Sequence, residues 1–295
     1  MDTRAAGRWR LLAAALLFST GGAAIKACSL TGWQVACFRS GVAAVALFVF
    51  LPAARRRPSR GQLFVAAAYA VTLILYVLAN KLTTASNAIF LQSTAPLYVL
   101  LLSPLWLKEA IRGRDLVFML ALALGMGLFF VGTEAPQRTA PDPMLGNLLG
   151  AGAAVTWALT VAGLRWLARH EMAAGGRADG LAAGATVWGN ALVFVACLPF
   201  ALPVEQSAAM DWVWILYLGV FQIGLAYVFM TRSVRSVPAL EAALLLLVEP
   251  VLNTVWAWWF HGEVPGAWAR VGALVIFVAT LAHALRRDDE GQTPP

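Results

Sequence analysis

The sequence predicts an all-α integral membrane protein of ten transmembrane helices, built as two five-helix repeats of inverted topology. Three observations predict it. Of the 295 residues, 60% are hydrophobic and 13% charged, against about half and about a quarter in soluble domains. The charges gather in short clusters between apolar runs long enough to cross a bilayer. A mid-span proline followed thirteen residues later by a glutamate recurs in the two halves, as Pro96 with Glu109 and Pro250 with Glu263.

A hydrocarbon core roughly 30 Å thick takes about 20 helical residues. Cutting the chain at its charge and Gly/Pro clusters gives spans at 10–30, 33–53, 61–82, 86–107, 115–133, 145–167, 181–203, 212–232, 237–260 and 265–285. The first, within "MDTRAAGRWRLLAAALLFSTGGAAIKA", has the outline of a signal peptide. Its apolar stretch runs on for about twenty residues and further spans follow at once, so it is read as a retained span. The connecting loops are short. The longest, "GTEAPQRTAPDPMLG" (Gly132 to Gly146), is Pro-rich and falls near the centre, as a linker between halves would. The division is therefore a first repeat at 1–133, a linker at 134–144, a second repeat at 145–285 and a tail at 286–295.

The basic residues orient the chain. With the N-terminus cytoplasmic, seventeen Lys and Arg fall inside and five (Lys26, Arg39, Lys81, Arg138 and Arg270) do not. This is a strong positive-inside bias. It places both termini in the cytoplasm and the chain, multi-pass, in the cell inner (plasma) membrane. The net charge of +7 is thus topological. Its densest cluster, "RRRPSR" (Arg55 to Arg60), has no interleaved aromatic residues on which bases stack, so no nucleic-acid partner is expected. Cys28, Cys37 and Cys197 are an odd number without a C-x-x-C and read as small packing residues. His170, His261 and His283 lack ligand spacing. Neither metal nor cofactor is expected.

"SNAIFLQSTAPLYVLLLSPLWLKEAI" (Ser86 to Ile111) has the outline of "LLLLVEPVLNTVWAWWFHGE" (Leu244 to Glu263). The prolines and glutamates both correspond at 154 residues, 250 − 96 and 263 − 109. Upstream, "YVLANK" (Tyr76 to Lys81) pairs with "YVFMTR" (Tyr227 to Arg232). With five spans per copy, the second enters the membrane from the opposite side. Such inverted repeats place a binding site near the midplane between them.

The segment "ALEAALLLLVEPVLNTVWAWWFHGEVPGAWARVGALVIFVATL" (Ala239 to Leu281) resembles the drug/metabolite transporter superfamily in its ten-helix form with two EamA-type domains. Within it, the chain is most similar to YddG-type exporters of aromatic amino acids. The resemblance implies a helical basket around a central cavity lined by spans 1–4 and 6–9, with spans 5 and 10 outside. The first copy departs from the pattern, with Ala95 where the second has Glu249.

Within that outline a few residues are costly enough to need a purpose. Pro96 and Pro250 each remove a backbone donor and clash with a carbonyl in mid-helix. They are read either as fixed bends shaping the basket or as hinges that open one side while the other closes. Glu249 lies near the middle of its span, where a carboxylate costs roughly 2.5–3.5 kcal/mol even on lenient scales. Three roles fit it: binding a substrate ammonium group, carrying a coupling proton, or hydrogen-bonding a neighbouring helix. Glu241, two turns earlier, is read as a lip residue. Arg39, about 9 Å into the second span by helical rise, is expected to snorkel outward, the alternative being to receive a substrate carboxylate. Tyr76, Gln92, Tyr98, Trp157, Trp188, Asn190, Gln222 and Tyr227 complete the cavity candidates, as a planar, partly polar solute would require. "WAWWF" (Trp256 to Phe260) and "DWVW" (Asp211 to Trp214) fit an interfacial belt. "GNLLGAG" (Gly146 to Gly152) allows close helix packing, read as internal.

An intramembrane enzyme would need clustered acid–base groups or an activated nucleophile. The aspartates are all read in loops or the tail, and no phosphate-binding loop occurs. A channel should show rings of like residues or a continuous polar stripe. The expectation is therefore a monomeric secondary carrier, not an enzyme. It would export small organic solutes, amino acids with aromatic or hydrophobic side chains first, by alternating access. The alternatives are a multidrug or other metabolite carrier of the same superfamily and a passive channel.

Overall fold

The computed structural model describes residues 3–55, 57–108, 111–131, 135–173, 180–233 and 237–291. Nine helices among them are long and apolar enough to cross a membrane: α1 (Ala5–Ala27), α2 (Gly32–Phe50), α3 (Arg60–Leu82), α4 (Ala85–Trp106), α6 (Pro143–His170), α7 (Leu181–Ala201), α8 (Ala209–Ser233), α9 (Glu241–His261) and α10 (Ala267–Leu285). Between α4 and α6 lies α5, Gly113–Leu128. Its sixteen residues rise about 24 Å. Gly125 and Gly127 weaken its end, and Phe130 N–H bonds back to the Gly127 carbonyl in a tighter turn.

The helices alternate up and down, as the hydrogen bonds at one end of the bundle establish. Lys26 at the end of α1 reaches the Thr83 carbonyl beyond α3. Glu263 beyond α9 accepts from the Ala85 N–H that opens α4. Asn147 at the start of α6 donates to the Phe129 carbonyl after α5. Gln34 at the start of α2 donates to Ala201 at the end of α7. Asp211 in the first turn of α8 accepts from Ser29, between α1 and α2. The C-termini of the odd helices and the N-termini of the even ones therefore share this end. At the other end Arg8 of α1 meets Glu241 at the start of α9.

Two helices are interrupted at matching points. The chain of α4 is helical to Gln92, turns at Ser93 and Thr94, and resumes at Ala95. That of α9 is helical to Leu246, turns at Leu247 and resumes at Val248. Pro96 and Pro250 therefore stand in the first turn of a new helical segment, where an N–H has no intrahelical partner to lose. Both are breaks rather than smooth bends. In α8 the turns widen to π-helix over Tyr217–Leu225, a distortion common at functional sites.

Close packing relies on missing side chains. A Cβ on Gly272 of α10 would stand 2.5 Å from the Gly125 carbonyl of α5, so these two helices cross backbone to backbone. His283 of α10 stacks on Phe118 of α5 at 4.1 Å. Gly146 and Gly150 of α6 press on Thr83 and Leu91, so the "GNLLGAG" run packs internally, as expected. The outward faces of α5 and α10 show Val117, Leu120, Leu124, Leu274 and Val278, side chains suited to lipid. Trp258, Trp259 and Phe260 are exposed together at the end of α9, as a belt requires.

One expectation needs correction. Asp115 and Asp211 are not loop residues: each lies in the first turn of its helix and accepts an N–H from three residues earlier. A carboxylate there satisfies an orphan donor and complements the positive end of the helix dipole.

Candidate functional site

A cavity of about 350 Å³ opens in the middle of the bundle, level with the breaks in α4 and α9. This is within the size range of small-molecule pockets. A larger hollow, about 850 Å³, lies between α2, α7 and α8. Its lining residues are all apolar, among them Phe38, Phe194 and Trp212, so it offers hydrocarbon contact and no polar recognition.

Aromatic rings form one wall of the central cavity. Tyr227 of α8 packs edge-on against Phe18 of α1 at 5.3 Å and against Tyr69 of α3 at 6.1 Å. Tyr69 lies 6.0 Å from Trp157 of α6. Tyr69 owes its position to Gly189 of α7, where a Cβ would come within 2.5 Å of the Tyr69 ring. Tyr76, seven residues on and so on the same helical face, also lines the space. Its hydroxyl accepts from Asn253 Nδ2 of α9 at 3.4 Å. Gln222, from the π-helical stretch, adds an amide whose Oε1 is buried without a hydrogen-bond partner among the described residues.

A basic and an acidic side chain both face this space. Glu249 lines it beside Pro250, at the start of the second segment of α9. Arg39 lines it from α2 and is 1% exposed. The expected snorkelling is therefore wrong. Packed against α2 are α3, α7 and α8, and α8 comes so near that a Cβ on Gly219 would lie 2.9 Å from the Arg39 carbonyl. No route to the interface is left, and the side chain turns inward.

One end of the bundle, where the end of α1 meets the start of α4 and the chain beyond α3 and α9, is closed by a buried polar knot. The Lys26 ammonium lies 2.8 Å from Glu263 Oε1, with both side chains at most 2% exposed. The pair is ionic rather than a well-directed hydrogen bond. The ammonium's directed bonds go to the carbonyls of Thr83 at 2.8 Å and Thr139 at 2.5 Å. Thr139 sits in a tight turn fastened by reciprocal 2.9 Å bonds between Gln137 and Ala140, so this connection is pinned rather than slack. Nearby, Thr83 Oγ1 donates to Asn147 Oδ1 at 2.8 Å and Lys81 donates to the Cys28 carbonyl at 2.6 Å. At the opposite end Glu241 is partly exposed and meets Arg8, as a lip residue would.

Of the predicted cavity residues, Tyr76, Gln92, Trp157, Gln222, Tyr227 and Glu249 come together with Pro96 and Pro250. Tyr98, Trp188 and Asn190 are not in the lining. Tyr98 directs its hydroxyl at Met126 Sδ of α5, 3.4 Å away. Trp188 and Asn190 belong to α7, which packs behind α2 and α3 and contributes nothing to the lining. Asn190 donates to the carbonyl of Thr186, one turn back in α7. Conversely α10, expected outside, contributes Thr280, because it packs against the first segments of both α4 and α9. Tyr69, Thr72 and Phe18 were missed. The seven-residue spacing from Tyr69 to Tyr76 was the available signal. Glu109 lies outside the described residues.

The chain as a whole resembles known proteins. The model of the EamA-like transporter family matches residues 6–131 and again 144–284. The pseudopaline exporter CntI of Pseudomonas aeruginosa is 26% identical over 96% of this chain and 97% of its own. An uncharacterized transporter of Archaeoglobus fulgidus is 26% identical over 76% of each chain. The uncharacterized transporter YetK of Bacillus subtilis is 28% identical over 57% of this chain, which spans about half of YetK's length (50%). A crystal structure of another protein, 20% identical, superposes with a TM-score of 0.62 over 95% of this chain and 97% of that one, a likeness of fold alone.

Proposed function

The chain belongs to the EamA-like transporter family, and on that premise we propose that it exports small organic solutes, amino acids with aromatic or hydrophobic side chains foremost, by alternating access. The observation that carries this reading is the central cavity, with a wall of aromatic rings and a carboxylate beside a broken helix. The name of CntI, a pseudopaline exporter, supports outward movement.

Two five-helix repeats, 1–133 and 145–285 joined by 134–144, would supply the two rocking halves. The double match to the family model and the paired breaks in α4 and α9 support that division. With both termini cytoplasmic, by the seventeen-to-five distribution of basic residues, the Lys26–Glu263 knot shuts the outer end. An exporter loads its cargo in such a state.

The test is counterflow in proteoliposomes. Purified protein preloaded with unlabelled phenylalanine should accumulate labelled phenylalanine transiently. A channel shows no such trans-stimulation. A carrier of other metabolites shows it with a different panel of solutes and not with amino acids.

A further inference from the structure

The central cavity is lined by one basic and one acidic side chain that do not pair with each other among the described residues. Arg39 is buried, its Nε has no hydrogen-bond partner among the described residues, and its guanidinium forms no ion pair among them. Glu249 lines the same 350 Å³ space, also without an ion pair among the described residues. An uncompensated charge at this depth is expensive, and ordinary packing relieves it by pairing the two groups. Here α2 holds one and the second segment of α9 holds the other, and Tyr76 and Gln222 line the same space.

We propose that Arg39 and Glu249 form a two-pole clamp, in which Arg39 receives the carboxylate and Glu249 the ammonium group of a single zwitterionic solute. The assignment rests on the export reading for its substrate and adds to it a second pole and a fixed orientation. A guanidinium offers a planar fork of donors that a carboxylate accepts two at a time. A carboxylate facing it across the cavity accepts from an ammonium group. A solute with only one of these charges leaves the opposite pole buried and unpaired, so each half of the zwitterion is required for the other to be well bound. The aromatic wall of Phe18, Tyr69, Trp157 and Tyr227 is left to contact the apolar remainder.

The experiment measures binding to purified full-length protein in two triplets of probes. One is phenylalanine, phenethylamine and 3-phenylpropionate. The other, with its charges farther apart, is 6-aminohexanoate, hexylamine and hexanoate. In at least one triplet the wild-type protein should bind the zwitterion at least about tenfold more tightly than either singly charged relative. Arg39→Gln should remove the advantage of phenylalanine over phenethylamine, Glu249→Gln its advantage over 3-phenylpropionate, and Arg39→Lys should keep part of the first. The proposal is overturned if wild-type protein binds no zwitterion better than the matching amine or acid in both triplets. That comparison needs no variant to fold. An Arg39→Gln protein that folds and still prefers the carboxylate also overturns it. Binding with the expected preference but no counterflow would instead overturn the export reading and leave the clamp standing.

Discussion

Lys26 and Glu263 form an ion pair 2.8 Å long that is sealed from solvent at the end of the bundle where α1, α3, α4 and α9 converge. Removing one partner of such a pair leaves an uncompensated buried charge, a loss of about 3–5 kcal/mol. Part of that is recoverable here if the end simply opens to water. Lys26→Ala should therefore open this end rather than only loosen the fold. Cys28, two residues away and buried, provides a reporter. Burial pushes its thiol up to about 11, so little thiolate is present at neutral pH and alkylation should be slow. The rate in wild-type protein should keep rising well above the pH at which a free thiol saturates. With Cys37 and Cys197 replaced by Ala, Lys26→Ala should speed labelling of Cys28 by an impermeant maleimide at least about tenfold at neutral pH. An unchanged rate would show that the pair does not hold this end shut.

Topology has its own check. Single cysteines at Arg57, Arg138 and Ala209 should label from the inside, the outside and the outside respectively. Arg57 and Arg138 reacting from the same face would mean a miscounted span.

The break in α9 should serve movement more than stability. Pro250→Ala restores a donor and lets the helix run through Leu247, so the melting temperature should hold or rise slightly. Phenylalanine binding should persist while the exchange rate falls several-fold. If binding and exchange fall together, the break shapes the pocket and is not a joint.

Glu249→Gln preserves shape and hydrogen-bonding capacity while removing the charge. The protein should melt within a few degrees of wild type, with amino-acid counterflow depressed about tenfold or more. Normal counterflow would place the site elsewhere. Loss of pH-gradient response with normal exchange would make Glu249 a proton carrier.

The helices were legible because hydrocarbon imposes length and apolarity on every span, and so was the pairing of Pro96 with Pro250, because each costs too much to be incidental. What the sequence concealed was rotation. Arg39 reads as a residue able to reach water, and only the packing of α3, α7 and α8 around α2 turns it inward. Trp188 and Asn190 have the right chemistry, but α7 stands in a second layer. Glu263 was visible as the residue closing a helix, whereas its partner Lys26 lies 237 residues away, a distance across which a single sequence carries no contact signal.

The opposite poles facing the cavity have an electrical consequence. Carrying one elementary charge through the membrane field is worth about 2.3 kcal/mol per 100 mV. With Arg39 cationic and Glu249 anionic, the empty site sums to zero, and a zwitterion seated between them leaves the sum unchanged. On the proposed clamp, loaded and unloaded proteins would reorient with the same charge, so membrane voltage should favour neither direction and the cycle should generate no current. Net flux would follow the concentration of cargo on the two sides, and a cell that makes or accumulates the solute would discharge it without spending its potential.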